Sequence, residues 1–292
     1  KAHDFYPQIK DKFLSKIDLE TCFKYLVLGY FLKMVVADNL KDYTFWITFP
    51  YFQTNSALAL LTMLFGYSCQ IFADFAGYSL IAIGLAKLFG YNLLQNFNFP
   101  YISSSFQEFW KRWHISLSSF LMEYLYIPLG GNRKGKVRTY INLMITMFLG
   151  GLWHGAAWSY AIWGVFHGGA LAIERLLMNN FKMKQTKLIV YIKRLMVFSF
   201  VTLAWLLFKL PEFDHVIVYL ETIVNHISMS PTGTDMTIMK NVVIYSSPVI
   251  LYHLFYVLKQ RKAFVVINKF HHIADIIFFD IWIGKVIKRT VV

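Results

Sequence analysis

The chain has 292 residues, of which 57% are apolar and only 15% are charged, whereas an ordinary soluble domain carries about 25% charged residues. Its mean hydropathy of +0.47 leaves too few polar side chains to coat a water-soluble globule, which excludes a disordered chain and a secreted disulfide-rich module. The net charge of +13 comes from basic clusters between apolar runs, which is typical of positive-inside loops and not of a nucleic-acid-binding surface. We therefore expect an all-α, polytopic membrane protein whose main partner is the lipid bilayer and which binds no nucleic acid.

The first part of the chain predicts a surface arm followed by membrane segments. Residues 1–20 are polar and amphipathic, and residues 22–37 form a first apolar run. Residues 43–73 carry no formal charge, which is ample for one spanning helix of about 20 residues. Pro50 and the polar residues after it indicate a break, so the span proper is expected to begin near Ser56.

A carboxylate, Asp74, interrupts this long hydrophobic stretch, which continues over residues 75–86. Burial of a charge in a membrane is costly. Two interpretations stay open, a helix-end residue at the membrane interface and an intramembrane polar site.

Residues 103–131 are typical of a helix at the membrane interface. Ser105 and Glu108 form a capping-box pattern, which predicts a helix beginning at Phe106 and ending near Pro128. Large apolar side chains recur at helical spacing and lie among cations, as in interfacial helices: Trp110, Trp113, Leu117, Leu121 and Tyr124. His114 falls in the same spacing, so we expect it on the apolar face of this helix.

Residues 139–173 contain no Asp, Glu, Lys or Arg. One straight helix of that length would measure about 52 Å, well beyond a hydrocarbon core of about 30 Å. Basic clusters flank both ends, so we expect a hairpin or re-entrant pair with its break at the glycine pair 150–151. This places Trp153 and His154 near the deep turn, and His167 follows in the second half of the hairpin.

Further apolar runs complete the membrane region, at 188–208, 215–229, 241–258 and 273–284. Together these segments predict about eight to ten membrane segments, several of them short or re-entrant.

Three histidines in apolar settings, His114, His154 and His167, together with Asp74, are the candidate functional residues. Helix–helix hydrogen bonding is one interpretation, especially for His167. A metal site is not expected, because the histidine spacings match no zinc pattern and no thiolate accompanies them. Acyl transfer is another interpretation of these histidines, since a neutral imidazole in a dry cavity is a good general base and a second imidazole can stabilise an oxyanion.

Several ordered blocks resemble membrane-bound O-acyltransferases of the alginate and peptidoglycan O-acetyltransferase type. The matching residues are 74–79, 83–84, 109–118, 124–133 and 150–156. They lie within a motif-bearing core at 70–175. The resemblance implies one membrane domain over residues 1–292, which lacks the family's N-terminal helices, with helices around a central funnel.

The resemblance also implies residue roles. The family's principal catalytic histidine falls on His154 and its second recurrent histidine on His114. We expect His154 to act as a general base or to carry the acyl group briefly as a nucleophile, and we add Asp74, Trp153 and His167 as supporting residues. The chain departs from the pattern at 120–124, where Phe-Leu-Met-Glu-Tyr replaces Trp-Leu-Arg-Asp-Tyr. The missing arginine removes a potential anion contact.

The implied activity is transfer of an acyl group, acetyl in most bacterial members, from a cytoplasmic thioester such as acetyl-CoA to an exported or cell-wall polysaccharide. No permanently bound cofactor is expected. The expected location is the bacterial cytoplasmic membrane, and the expected partner is an extracytoplasmic acyltransferase or esterase. D-alanyl transfer to teichoic acid, a transporter or channel without covalent chemistry, and a structural assembly subunit are the alternatives.

Overall fold

The computed structural model describes residues 1–155, 157–180 and 186–260, in which helices and loops occur without a β-strand. Residues 1–249 form one compact unit. The α-helices of the described ranges are α1 (Ala2–Phe5), α2 (Leu19–Tyr30), α3 (Asp38–Thr44), α4 (Ala57–Leu88), α5 (Phe106–Arg112), α6 (Ile115–Leu121), α7 (Lys136–Leu152), α8 (Trp158–Asn180), α9 (Lys187–Ala204), α10 (Leu206–Lys209), α11 (Phe213–Asn225) and α12 (Gly233–Gln260). Two π-helical segments, Phe31–Ala37 and Met122–Tyr126, directly follow α2 and α6.

Helix α4 forms the centre of the core, and α2, α3, α9 and α11 pack on it. Its start confirms the predicted break, because the Ser56 side chain accepts a hydrogen bond from the Ala59 N–H at 3.4 Å and caps the helix. Helices α2 and α4 cross with their backbones in contact. A Cβ added at Gly77 would lie 2.8 Å from the Gly29 carbonyl oxygen, so small residues permit this crossing.

The predicted hairpin is confirmed, but its predicted break is wrong. Helix α7 continues through the glycine pair to Leu152, and α8 begins at Trp158. A Cβ added at Gly151 would lie 2.2 Å from the carbonyl oxygen of Tyr160 in α8. Gly151 therefore lets the two helices approach closely, and the turn follows at Trp153 and His154.

The continuous interfacial helix predicted after Phe106 is interrupted. Helix α5 begins at Phe106 as expected, where Ser105 accepts a hydrogen bond from the Glu108 N–H at 2.9 Å. It ends at Arg112, and His114 has a left-handed backbone with φ 45° and ψ 55°. His114 therefore does not share a continuous helical face with the flanking aromatic residues. The loop after α4 hydrogen-bonds the chain on both sides of this break, at Arg112 and at Ile115.

Three helices of the described ranges are long and apolar enough to cross a membrane, namely Ala57–Leu88, Lys187–Lys209 and Gly233–Leu258. Helix α11 covers much of the predicted run at 215–229, whereas the run at 273–284 lies outside the described residues. The expected total of eight to ten membrane segments stays a prediction.

Candidate active site

His154 lies in the turn between α7 and α8 and is half-buried among aromatic rings. Its ring centroid is 5.1 Å from that of Trp153, 5.6 Å from that of Trp163 and 5.0 Å from that of Phe208. The hairpin supplies the first two neighbours, and α10 supplies Phe208. The imidazole is therefore held in place by apolar packing instead of projecting into bulk solvent.

His114 lies between α5 and α6, and its half-buried ring reaches the same group of rings. Phe75 of α4 packs edge-on against it at 4.5 Å between centroids, and the Trp153 ring lies at 6.4 Å. Its Nδ1 is 3.5 Å from the Ser116 hydroxyl oxygen. Trp153 contacts both histidine rings and so links the two predicted catalytic residues.

His167, in the middle of α8, is fully buried. Its ring packs 4.6 Å from Trp163 and 5.2 Å from Trp110, measured between centroids. Neither ring nitrogen has a hydrogen-bond partner within the ranges that the structure describes. The helix–helix hydrogen bond considered for His167 is therefore wrong for this part of the chain, and aromatic packing takes its place.

These contacts form one continuous set of rings, which we call the histidine cluster. Trp153 joins His114 to His154, Trp163 joins His154 to His167, and Trp110 closes the far end. The members of the histidine cluster are His114, Trp153, His154, Trp163, His167 and Trp110. The fold thus brings the three histidines into one region, although 40 and 13 residues separate them in sequence.

Asp74 stands apart from the histidine cluster. It lies inside α4, so the helix-end interpretation is wrong, and its half-exposed carboxylate forms an ion pair with Lys33 of the first π-helical segment. The Lys33 ammonium is also 3.3 Å from an Asp38 carboxylate oxygen. The next residue, Phe75, makes the contact with His114, so Asp74 holds the π-helical segment against α4 and borders the site.

A carboxylate from α8 fixes the start of α5, and sequence reasoning missed it. Glu174 accepts hydrogen bonds from the N–H groups of Phe106 at 2.7 Å and Gln107 at 2.9 Å. These are free donors at a helix start, where a negative charge is favourable. Glu174 thereby ties the helix that ends beside His114 to the helix that carries His167.

Glu108 stabilises the same helix start from within α5. Its side chain accepts a hydrogen bond from the Ser104 N–H at 2.8 Å, and the Arg112 guanidinium lies 2.9 Å away. Burial by itself raises the pKa of Glu108, but the hydrogen bonds from Ser104 and the charge of Arg112 outweigh burial and lower it. Glu108, the glutamate of the capping box, thus hydrogen-bonds Ser104, the residue before the N-cap Ser105.

A cavity of about 590 Å³ lies on the other side of Trp110, between α5, α6, α7, α8 and the loop before α7. Its walls are largely apolar, with three cations, Lys111, Arg133 and Arg175. Within the described chain, none of its lining residues is acidic. Trp110 and Tyr126 also line the cavity, and Trp110 Nε1 and the Tyr126 hydroxyl are buried without a hydrogen-bond partner among the described residues. The three cations give the cavity positive charge.

The arrangement of the two imidazoles around Trp153 suits proton transfer. Across residues 1–155, 157–180 and 186–260, no group of three His, Cys, Asp or Glu side chains is placed to hold a metal ion. Two imidazoles separated by one indole can divide the roles of base and hydrogen-bond donor.

The chain is similar in sequence to several known proteins. The Probable alginate O-acetylase AlgI of Azotobacter vinelandii is 43% identical over 198 residues, covering 67% of this chain and 38% of that protein. The Peptidoglycan O-acetyltransferase of Helicobacter pylori is 37% identical over 227 residues, covering 76% and 42% of the two chains. The Teichoic acid D-alanyltransferase of Bacillus subtilis is 32% identical over 149 residues, covering 49% and 38%.

The chain therefore spans less than half the length of these curated relatives. The membrane-bound O-acyltransferase (MBOAT) family matches residues 4–210, a range that holds the histidine cluster, the cation-lined cavity and two of the three candidate membrane spans. The chain belongs to the membrane-bound O-acyltransferase family.

Proposed function

We propose that the protein transfers an acyl group, most simply acetyl, from a cytoplasmic thioester to a hydroxyl group for O-acylation of an exported or cell-wall polysaccharide. The observation that carries this proposal is the pair of half-buried imidazoles, His114 and His154, on either side of Trp153. Relatives named for alginate and peptidoglycan acetylation support the acetyl group and the polysaccharide acceptor.

His154 acts as the general base. With an ordinary pKa near 6.5, imidazole is largely neutral at pH 7 and accepts the proton of the acceptor hydroxyl. The oxygen then attacks the thioester carbonyl carbon, the carbon–sulfur bond breaks, and the departing thiolate takes up the proton from His154. His114 donates a hydrogen bond to the oxyanion that forms in between, and His167 supports the site through ring packing.

The acyl donor binds in the cation-lined cavity. Lys111, Arg133 and Arg175 suit the phosphates of a donor such as acetyl-CoA, and the apolar walls suit its acyl arm. Trp110 lines this cavity and packs on His167 and Trp163, so the donor cavity adjoins the His167 end of the histidine cluster.

The protein works in the bacterial cytoplasmic membrane, with eight to ten membrane segments around a central funnel that connects the two leaflets. An extracytoplasmic acyltransferase or esterase completes the transfer to the polymer.

D-alanyl transfer to teichoic acid is the second candidate function, and the similarity to the Bacillus subtilis protein favours it. A transporter has the same need for buried polar groups but forms no acyl bond.

The test is replacement of the base in the natural host. His154→Ala should abolish polymer acylation, because the hydroxyl then lacks a base, while the protein still accumulates in the membrane. The measurement is mass analysis of acyl groups on cell wall and exopolysaccharide, which also distinguishes acetyl from D-alanyl.

His3→Ala is the matched control, since His3 is exposed and lies on α1, away from the cluster. Normal acylation in His154→Ala would remove the catalytic role. Membrane vesicles given a labelled acetyl thioester separate the rival class, because a transporter produces no labelled acyl ester.

A further inference from the structure

The backbone at His114 needs support from elsewhere in the molecule. Its left-handed conformation, with φ 45°, is uncommon for a residue with a side chain. His114 is also the N-cap residue of α6, yet its side chain makes no capping hydrogen bond to the helix. A Ser, Thr, Asp or Asn side chain ordinarily satisfies the first N–H groups at this position.

Asn96 supplies the missing acceptors from a loop after α4. Its carbonyl oxygen accepts a hydrogen bond from the Ile115 N–H at 3.0 Å. Its side-chain Oδ1 accepts from the Ser116 N–H at 3.1 Å and from the Ser116 hydroxyl at 2.6 Å. One residue therefore caps α6 in place of His114.

Asn96 is itself held on both sides. Its Nδ2 donates to the buried Ser79 hydroxyl of α4 at 3.3 Å, four residues along the chain from Phe75, which packs on the His114 ring. In the same loop, the Asn98 N–H donates to the Arg112 carbonyl oxygen at 3.0 Å. The loop thus binds the chain immediately before and after His114 and anchors it to α4.

We propose that Asn96 is a positioning residue, which keeps His114 in its left-handed conformation and so directs the imidazole toward Trp153 and His154. The inference rests on the proposed role of His114 in acyl transfer. Without its side chain, Asn96 keeps the backbone hydrogen bond from Ile115 but loses the bonds to Ser116 and Ser79. His114 can then return to an ordinary helical or extended backbone. Such a change turns the ring away from the reacting atoms.

The first test replaces the side chain in the natural protein and measures acyl transfer from labelled acetyl thioester in membrane vesicles. Asn96→Ala should lower the rate by on the order of tenfold to a hundredfold, the size of effect that a small misplacement of a reacting group produces. The matched control is Asn92→Ala in the same loop, whose side chain accepts from the Lys87 ammonium at 3.1 Å. That variant should keep the wild-type rate, and equal rates for both variants would overturn the proposal.

A double variant distinguishes positioning from general stability. His114→Ala should leave a low residual rate, and adding Asn96→Ala to it should cause no further loss, because Asn96 acts through His114. A further loss as large as that of Asn96→Ala alone would contradict the proposal. If His114→Ala keeps the wild-type rate, the proposed role of His114 in acyl transfer is wrong. If His114→Ala lowers the rate but Asn96→Ala keeps it, only the positioning role of Asn96 is wrong.

Asn96→Asp covers the case in which Asn96→Ala does not accumulate. It retains the oxygen that accepts from Ser116 and should recover most of the rate. An Asn96→Asp protein that accumulates normally but has lost acyl transfer to the same extent as His114→Ala would overturn the acceptor role.

Discussion

At the scale of single residues, His167 shows how apolar packing can hold an unsatisfied polar group. The ring is fully buried against Trp110 and Trp163, and both nitrogens lack partners among the described residues. A buried polar group without a hydrogen bond costs about 1–3 kcal/mol. The neighbouring aromatic rings pack against the His167 ring, and another aromatic side chain of similar shape at this position would keep the same contacts.

His167→Phe should therefore raise the free energy of unfolding by about 1 kcal/mol or more, because it removes the unsatisfied nitrogens and keeps the ring contacts. Thermal unfolding in detergent measures the change. His226→Phe is the control and should lower the free energy of unfolding, since it removes the hydrogen bond that His226 Nδ1 donates to the Asn55 carbonyl oxygen at 2.9 Å. Equal destabilisation by both replacements would show that His167 has a polar partner.

The catalytic candidates could be chosen from sequence, but their geometry could not. His114 and His154 were identified from their apolar surroundings and from the family motifs. The helical spacing around His114 predicts its apolar surroundings but not the break in the helix, because the break depends on Asn96 and no spacing rule connects residues 96 and 114. The left-handed backbone, with a cost of about 1–3 kcal/mol, persists because the loop over-determines it.

At the scale of elements, the α7–α8 hairpin forms because its glycines let two helices touch. A Cβ added at Gly164 would lie 2.3 Å from the Met147 carbonyl oxygen of α7, which no side-chain movement can relieve. Contact of this kind sets the separation of the two helices whose connecting turn carries His154.

Gly164→Ala should therefore destabilise the protein by about 1–3 kcal/mol, the cost of overpacking a close contact. It should also reduce acyl transfer, because the turn shifts when the helices separate. The control is Gly169→Ala in the same helix, where no described atom lies within 4 Å of the added Cβ. That change should be neutral or slightly stabilising, since Ala favours helix over Gly by about 1 kcal/mol, and thermal unfolding compares the two.

At the scale of the whole molecule, the basic loop before α7 should face the cytoplasm. The hairpin returns the chain to the side on which α7 began, and Arg133, Lys134, Lys136 and Arg138 make that side strongly basic. The same loop lines part of the cation-lined cavity, so we expect the cavity to be accessible from the cytoplasm, where the proposed thioester donor is available.

Asn132→Cys tests this orientation without changing the charge of the loop. A membrane-impermeant maleimide should label it only after the membrane is permeabilised, because the loop faces the cytoplasm. The unmodified chain is the control, since its two cysteines, Cys22 and Cys69, are buried. Labelling in intact cells would reverse the orientation and place the cavity on the other side.

The sequence by itself determined the membrane character, the helical class, the helix starts after Ser56 and Ser105, and the existence of the hairpin. These features depend on hydropathy, on capping residues and on the length of apolar runs, all of which are local. The tertiary structure alone decided which side chains meet. Glu174 caps a helix start 68 residues away, and Asn96 hydrogen-bonds both α4 and the start of α6 beside His114. Such contacts follow from how the chain folds back on itself and not from any period within one helix.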